Sequence, residues 1–212
     1  MSDQVFRAFL GRQQEQAASL AAASDLVDVF PVGPPPYQRY ILRFSCRGLI
    51  RGKNGVEEAN RFDIGVYFPA DYLRCAQPGE VITWFGPLEA FHPNIRPPFL
   101  CPGHLKPGTS LVDIIFQCFE IITYQKVTMS EKNALNWEAC GWARKNTARF
   151  PIDKRGLKRN AVRFRVRDAA SAGSEDAPGG GQEISTDGAG ASTEVKNTTA
   201  GSDDTRPGEE AR

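Results

Sequence analysis

The residues best suited to chemistry lie between Phe91 and Gly103. They read Phe91-His92-Pro93-Asn94-Ile95, then Arg-Pro-Pro-Phe-Leu, then Cys101-Pro102-Gly103. A cysteine thiolate is a strong nucleophile toward acyl groups. Cys101 sits in a coil dense in proline and glycine, just ahead of a strongly apolar segment. Such a coil holds its backbone in fixed shapes with few hydrogen bonds of its own, and an exposed thiol there can meet a bulky macromolecular partner. Asn94, seven residues upstream, carries amide N–H donors suited to an oxyanion. The same side chain also suits a cap on the turn after Pro93. Cys101 and His104 form a Cys-x-x-His pair with His92 nearby, which is how a zinc set begins. Structural zinc takes four ligands, commonly as two spaced pairs. The second pair is missing, so no metal is expected. The other cysteines, Cys46, Cys75, Cys118 and Cys140, read as small buried apolar residues.

Positioning these groups falls to the elements on either side. Residues 3–24 read as a helix, with Val5, Phe6, Phe9, Leu10 and Leu20 on its apolar face. An apolar run, Leu26–Phe30, follows. Pro31 to Pro36 should then stop regular structure. Tyr37–Leu49, Phe62–Phe68 and Val81–Phe85 read as strands. Arg51–Asn60 and Pro69–Gly79 read as the loops between them, which together suggest an antiparallel meander. After Pro107-Gly108 the apolar residues Leu111, Ile114, Ile115, Cys118, Phe119 and Ile122 recur at steps of three and four, a buried helix. Ser110 with Asp113 resembles a helix-start cap. A last helix is expected from about Ser130 to Asn146. Trp84, Trp137 and Trp142 read as core or half-buried packing. The order is that of an α+β fold, with helices grouped beside an antiparallel sheet.

Charge divides the chain. Residues 169–212 hold nine acids and three bases, a net −6, while residues 1–168 hold 23 bases and 16 acids, a net +7. The acidic stretch has no aromatic residue and only Ile184 and Val195 as branched aliphatics. It cannot bury enough apolar surface to offset its ordering entropy, so it is expected to be a disordered tail. Residues 144–167 carry ten Lys or Arg and one acid, Asp153. Within them Val162, Phe164 and Val166 alternate with Arg163, Arg165 and Arg167, the period of an edge strand. This basic stretch reads as a solvated face. The alternatives are a dock for an acidic partner or a salt-sensitive nucleic-acid contact. No P-loop or GxGxxG supports nucleotide binding. No apolar run approaches a membrane span, no secretory leader is evident, and five cysteines do not make a disulfide framework. A cytoplasmic setting is therefore expected.

The motif and its surroundings resemble the ubiquitin-conjugating (E2) family, in particular its divergent bacterial branch. The resemblance covers about residues 3–147. "FDIGVYFPADY" is similar to the family's strand followed by Phe-Pro and an aromatic, and "FHPNI" to its His-Pro-Asn motif. Cys101 falls within a residue of the family's catalytic cysteine. "KPGTSLVDIIFQCFEII" resembles the family's proline-containing loop and central helix, and "NALNWEA" the start of the next helix. There are also differences. The coil after Cys101 is shorter than in eukaryotic members, Pro102-Gly103 replaces Leu and a polar residue, and the Trp common before the loop proline is absent.

The resemblance implies a UBC-like fold over residues 1–150: N-terminal helix, antiparallel meander, catalytic coil and two C-terminal helices. A basic extension at 151–168 and the tail at 169–212 would follow. It implies that Cys101 accepts the C-terminal carboxyl of a ubiquitin-like protein from an E1-like activating enzyme as a thioester, then passes it to an amine, usually a target lysine. Asn94 would support the loop and the oxyanion, Asn133 would be the gate residue that orients the lysine, and His92 and Pro93 would shape the turn. Arg7 and Arg12 on the first helix would meet the activating enzyme. No cofactor is implied. Bacterial relatives sit in operons with an activating enzyme, a ubiquitin-like protein and a deconjugase, some of them antiphage. The rival readings are a non-catalytic UBC/RWD-like module that recruits partners and a basic nucleic-acid-associated protein using residues 144–167.

Overall fold

The computed structural model describes residues 4–157. Helix α1 spans Gln4–Ala23 and buries Phe6, Phe9, Leu10, Gln13, Ala17 and Leu20, spaced to share one face. Strands β1 (Val27–Val32), β2 (Arg39–Phe44), β5 (Phe62–Tyr67) and β6 (Ile82–Gly86) form one antiparallel sheet in the order β1-β2-β5-β6. Between β2 and β5 the chain makes a separate hairpin, β3 (Gly48–Gly52) with β4 (Gly55–Ala59). A four-residue helix, α2 (Pro78–Val81), leads into β6, and a small hairpin, β7 (Ile95–Arg96) with β8 (Phe99–Leu100), precedes Cys101. Two longer helices follow, α3 (Leu111–Ile122) and α4 (Trp137–Lys145). The protein is thus α+β, with an N-terminal helix and an antiparallel sheet.

Several elements depart from the sequence reading for local reasons. Residues 51–60 are mostly strand rather than loop, because β3 and β4 stay paired up to Gly52 and Gly55 and leave only Lys53-Asn54 as a two-residue turn, with Gly55 at φ +130° just after it. Strand β1 runs through Pro31 to Val32, beyond the expected stop. It does so because β1 is the sheet edge, where a residue without an N–H is tolerated. The last helix starts at Trp137, not near Ser130. Asn136 is its N-cap and accepts from the Ala139 N–H at 3.0 Å, while Glu131–Asn133 form only a 3-10 turn. Trp84 is buried and Trp142 half-buried, but Trp137 is 72% exposed as the first residue of α4. Cys75 is exposed too, unlike the buried Cys46, Cys118 and Cys140. The expected strand at 161–167 and the tail at 169–212 lie outside the described residues.

The main core lies between α1, α3 and the sheet. Phe9 meets Phe68 edge-on at 5.4 Å between centroids, and Phe68 meets Tyr72 at 4.8 Å. The Tyr72 hydroxyl donates to the Thr109 carbonyl at 2.8 Å, fixing the coil that enters α3. At the start of α3, Ser110 Oγ accepts from the Asp113 N–H at 3.0 Å. Buried Gln13 supplies a second cap from α1: its Oε1 accepts from the Leu111 N–H at 2.7 Å. Gln13→Leu should therefore leave that N–H unpaired and cost about 1–3 kcal/mol, read as a lowered melting temperature.

A second, aromatic cluster holds Leu49, Phe91, Tyr124, Ala139, Ala143 and Ile152, with Trp142 and Phe150 against it. Residues 150–157 form a strap across this side. The Phe150 ring lies 4.7 Å from that of Tyr124, and the Ile152 N–H donates to the Thr123 carbonyl at 2.8 Å. Asp153 is fully buried; it accepts from the backbone N–H of Arg47 at 2.8 Å and of Arg155 at 3.0 Å. The Arg155 guanidinium closes on the same carboxylate at 2.7 Å. Burial alone would raise the Asp153 pKa. The Arg155 guanidinium and the two N–H groups outweigh it and hold the carboxyl well below the usual carboxylate range.

A folded-state pKa depressed in this way stabilises the fold fully above the ordinary carboxylate value of about 4. The stabilisation is lost as pH falls from there through the depressed value. Asp153→Ala is expected to cost about 2–3 kcal/mol at neutral pH, because it strands the N–H groups of Arg47 and Arg155. The difference from wild type should narrow in acid. Urea unfolding of both proteins at pH 7 and pH 3 measures this.

Candidate active site around Cys101

The site is assembled from the His92–Ile95 turn upward. The Ile95 N–H donates to the His92 carbonyl at 3.0 Å, closing the turn. Inside it the Asn94 N–H donates to His92 Nδ1 at 3.0 Å. With Nδ1 occupied as an acceptor, the neutral ring carries its proton on Nε2. His92 is buried, and its ring meets Tyr124 edge-on at 4.3 Å. Burial pushes its pKa down to about 3, although the Lys126 backbone opposes the shift. Burial thus favours the neutral ring, whose Nδ1 is committed to the turn while Nε2 is buried without a hydrogen-bond partner.

Asn94 is the joint between the turn and Cys101. Its backbone carbonyl accepts from the Cys101 N–H at 2.9 Å, and its side-chain Nδ2 donates back to the Cys101 carbonyl at 3.1 Å. Its Oδ1 accepts from the Thr128 N–H at 3.0 Å. One buried carboxamide therefore ties the Cys101 coil to the segment between α3 and α4. The Cys140 thiol of α4 donates to the Thr128 carbonyl at 3.3 Å, so α4 backs the same joint.

Pro93 makes a second tie. Its carbonyl accepts from the N–H groups of Leu135 at 2.8 Å and Asn136 at 3.1 Å. The segment carrying Asn133 is thereby laid beside the turn. Asn133 itself is exposed on the 3-10 turn, with its N–H on the Ser130 carbonyl, and makes no hydrogen bond to Cys101.

Cys101 is partly exposed, whereas Cys46 and Cys118 are buried and their thiols are pushed up to about 12 by burial. In both, burial disfavours the reactive thiolate form. The coil after Cys101 is held from outside: Lys126 Nζ donates to the Pro102 carbonyl, and Gly103 takes φ +96°. The floor is the aromatic cluster, where the Tyr124 hydroxyl donates to the Phe91 carbonyl. Arg51 lies over the Phe91 ring at 4.3 Å and pairs with Glu138. The exposed aromatics Phe99 and Trp137 belong to the segments that flank this turn, β8 and the start of α4.

The structure thus brings Cys101, Asn94, His92 and Pro93 into one hydrogen-bonded unit and lays the Asn133 segment against it. Arg7 and Arg12 are exposed on α1. Arg7 borders a groove of about 330 Å³ between α1 and the Val32–Pro36 loop. Sequence reasoning missed Tyr124, Lys126, Thr128 and Asn136. Only Asn136 had a local signal, an N-cap residue type just before a helical stretch. The others act through contacts distant in sequence. Among the described residues, no group of three or more His, Cys, Asp or Glu is placed to hold a metal ion, and no helix is long and apolar enough to cross a membrane. No protein-family model matches the chain, and no curated protein matches it.

Proposed function

We propose that this protein is an E2-like conjugating enzyme with a UBC-like fold, and that Cys101 carries a ubiquitin-like protein as a thioester. The observation that carries this reading is the pair of hydrogen bonds between Asn94 and Cys101, which holds a half-exposed thiol in a defined position among otherwise buried or distant cysteines.

In this mechanism the Cys101 thiolate receives the acyl group of the modifier's C-terminus from an E1-like activating enzyme, which consumes the ATP. A target lysine then attacks the thioester carbonyl. The C–N bond forms, the C–S bond breaks, the thiolate leaves, and the proton lost by the amine nitrogen passes to solvent. A thioester is reactive enough that position and stabilisation of the oxyanion suffice. Asn94 fixes the coil and offers its amide to that oxyanion. His92, neutral and engaged, takes no proton. Asn133 stands at the gate on the segment pinned to Pro93. Arg7 and Arg12 face the activating enzyme.

The defining experiment incubates the protein with an activating enzyme, ATP and modifier taken from its genomic neighbourhood, where an adjacent deconjugase and an antiphage role would fit the same reading. A mass-shifted adduct that thiol reductant removes is the expected result. If no adduct forms and Cys101 resists mild alkylation, the chain is instead a non-catalytic recruiting module of the same fold.

A further inference from the structure

We propose that Lys126 is a positioning residue for Cys101, a clamp that holds the carbonyl just after the nucleophile, next to the two backbone groups that Asn94 holds. The proposal deepens the reading of Cys101 as an acyl carrier and rests on it for its catalytic consequence.

The clamp originates at the end of α3. Tyr124 adopts φ +62°, a left-handed conformation that non-glycine residues seldom take, and it lies immediately past the Thr123 C-cap. The N–H groups of Gln125 and Lys126 both return to the Glu120 carbonyl, at 2.8 and 3.0 Å. The chain is thereby reversed, and the Lys126 side chain is directed back over the Cys101 coil. Its ammonium donates to the carbonyl of Pro102, the residue after Cys101. The same nitrogen lies 3.6 Å from where a Cβ on Gly103 would be. Its charge also reaches Cys118 inside α3, where it opposes the effect of burial.

Three backbone groups on two consecutive residues are then held. The Cys101 N–H is held by the Asn94 carbonyl, the Cys101 carbonyl by the Asn94 amide, and the Pro102 carbonyl by Lys126. Proline has no N–H, and the residues from Pro102 to Lys106 belong to no helix or strand. Pro102 and Leu105 are buried and anchor the coil by packing, and Lys126 adds the side-chain hydrogen bond to the carbonyl just past the thiol. Its hydrogen bond is charge-assisted, which makes it stronger than a neutral one. Lys126 is also exposed enough for solvent to screen part of that gain.

The clamp is tested on the full chain without any partner. Wild type, Lys126→Met and Lys126→Arg are treated with iodoacetamide, and Cys101 alkylation is followed by peptide mass spectrometry with exposed Cys75 as the internal reference. Releasing the Pro102 carbonyl should let the coil open and raise the Cys101 to Cys75 rate ratio about tenfold in the methionine variant. Arginine, which can donate to the same carbonyl, should hold the ratio within about twofold of wild type. Hydrogen exchange should quicken in the peptide covering 102–109 and stay unchanged in α1 and the sheet.

An unchanged ratio in Lys126→Met, an arginine variant that behaves like methionine, or exchange that rises across the whole chain would each overturn the clamp. Where the Cys101 thioester can be formed, its discharge to free lysine should slow in Lys126→Met and recover in Lys126→Arg. A wild-type protein that forms no thioester would sink the conjugating reading, while the alkylation ratio still decides the clamp.

Discussion

Cys101→Ala should abolish the reductant-sensitive adduct completely, and Cys101→Ser should convert it into one that survives thiol treatment. A thioester exchanges with added thiol, whereas an oxygen ester of the same acyl group does so far more slowly, so a serine in place of the nucleophile traps the product. Neither change should disturb the fold, because the Cys101 side chain is only partly buried and its backbone supplies the hydrogen bonds to Asn94. Non-reducing electrophoresis with and without reductant separates the outcomes. An adduct that persists in Cys101→Ala would place the acyl group elsewhere. Cys75 would be the first suspect, as the other exposed thiol among the described residues.

The second large effect is expected at Asn94. Asn94→Ala removes two hydrogen bonds from a buried site, one to the Cys101 carbonyl and one from the Thr128 N–H. The stranded groups should cost about 2–3 kcal/mol of stability. The chemical loss should be larger. Loading should survive, because the Cys101 N–H is still held by the Asn94 backbone carbonyl. Discharge to lysine should fall by about 10²-fold, the usual consequence of removing one oxyanion donor. Single-turnover discharge of preloaded enzyme, set beside a melting curve, separates the two contributions. Equal loss of loading and discharge would make Asn94 a folding residue only.

The sequence was legible where a pattern is local. Helix α3 followed from its three- and four-residue apolar steps, and its Ser110 cap from one residue pair. The strands Phe62–Tyr67 and Ile82–Gly86 were visible because β-branched and aromatic residues cluster there. The β3–β4 hairpin was obscured by Glu57 and Glu58, exposed charges that made a strand look like a loop. The turn-forming residues Asn54 and Gly55, at the end of the turn and the start of β4, were the better guide. Trp137 was misplaced because size and apolarity argue for burial, while its position just after the Asn136 cap points it outward. At the site, the motif residues and their spacing could be read directly. The partners of Asn94 and the clamp from Lys126 could not, since Thr128 and Pro102 are reached through backbone groups that carry no side-chain signature.

The strap at residues 150–157 has a consequence for the order in which the protein is made. Synthesis runs from the N-terminus, so the His92 turn and Cys101 leave the ribosome well before Phe150 and Asp153. Until those residues emerge, Tyr124 lacks the ring of Phe150 beside it, the Thr123 carbonyl lacks the N–H of Ile152, and the Arg47 N–H lacks its carboxylate. A nascent chain that already displays its thiol is therefore still without the support beneath it. Completion of the Cys101 site is a late event of translation, and a chain stalled or cut short near residue 150 would carry the Cys101 thiol on an unfinished scaffold.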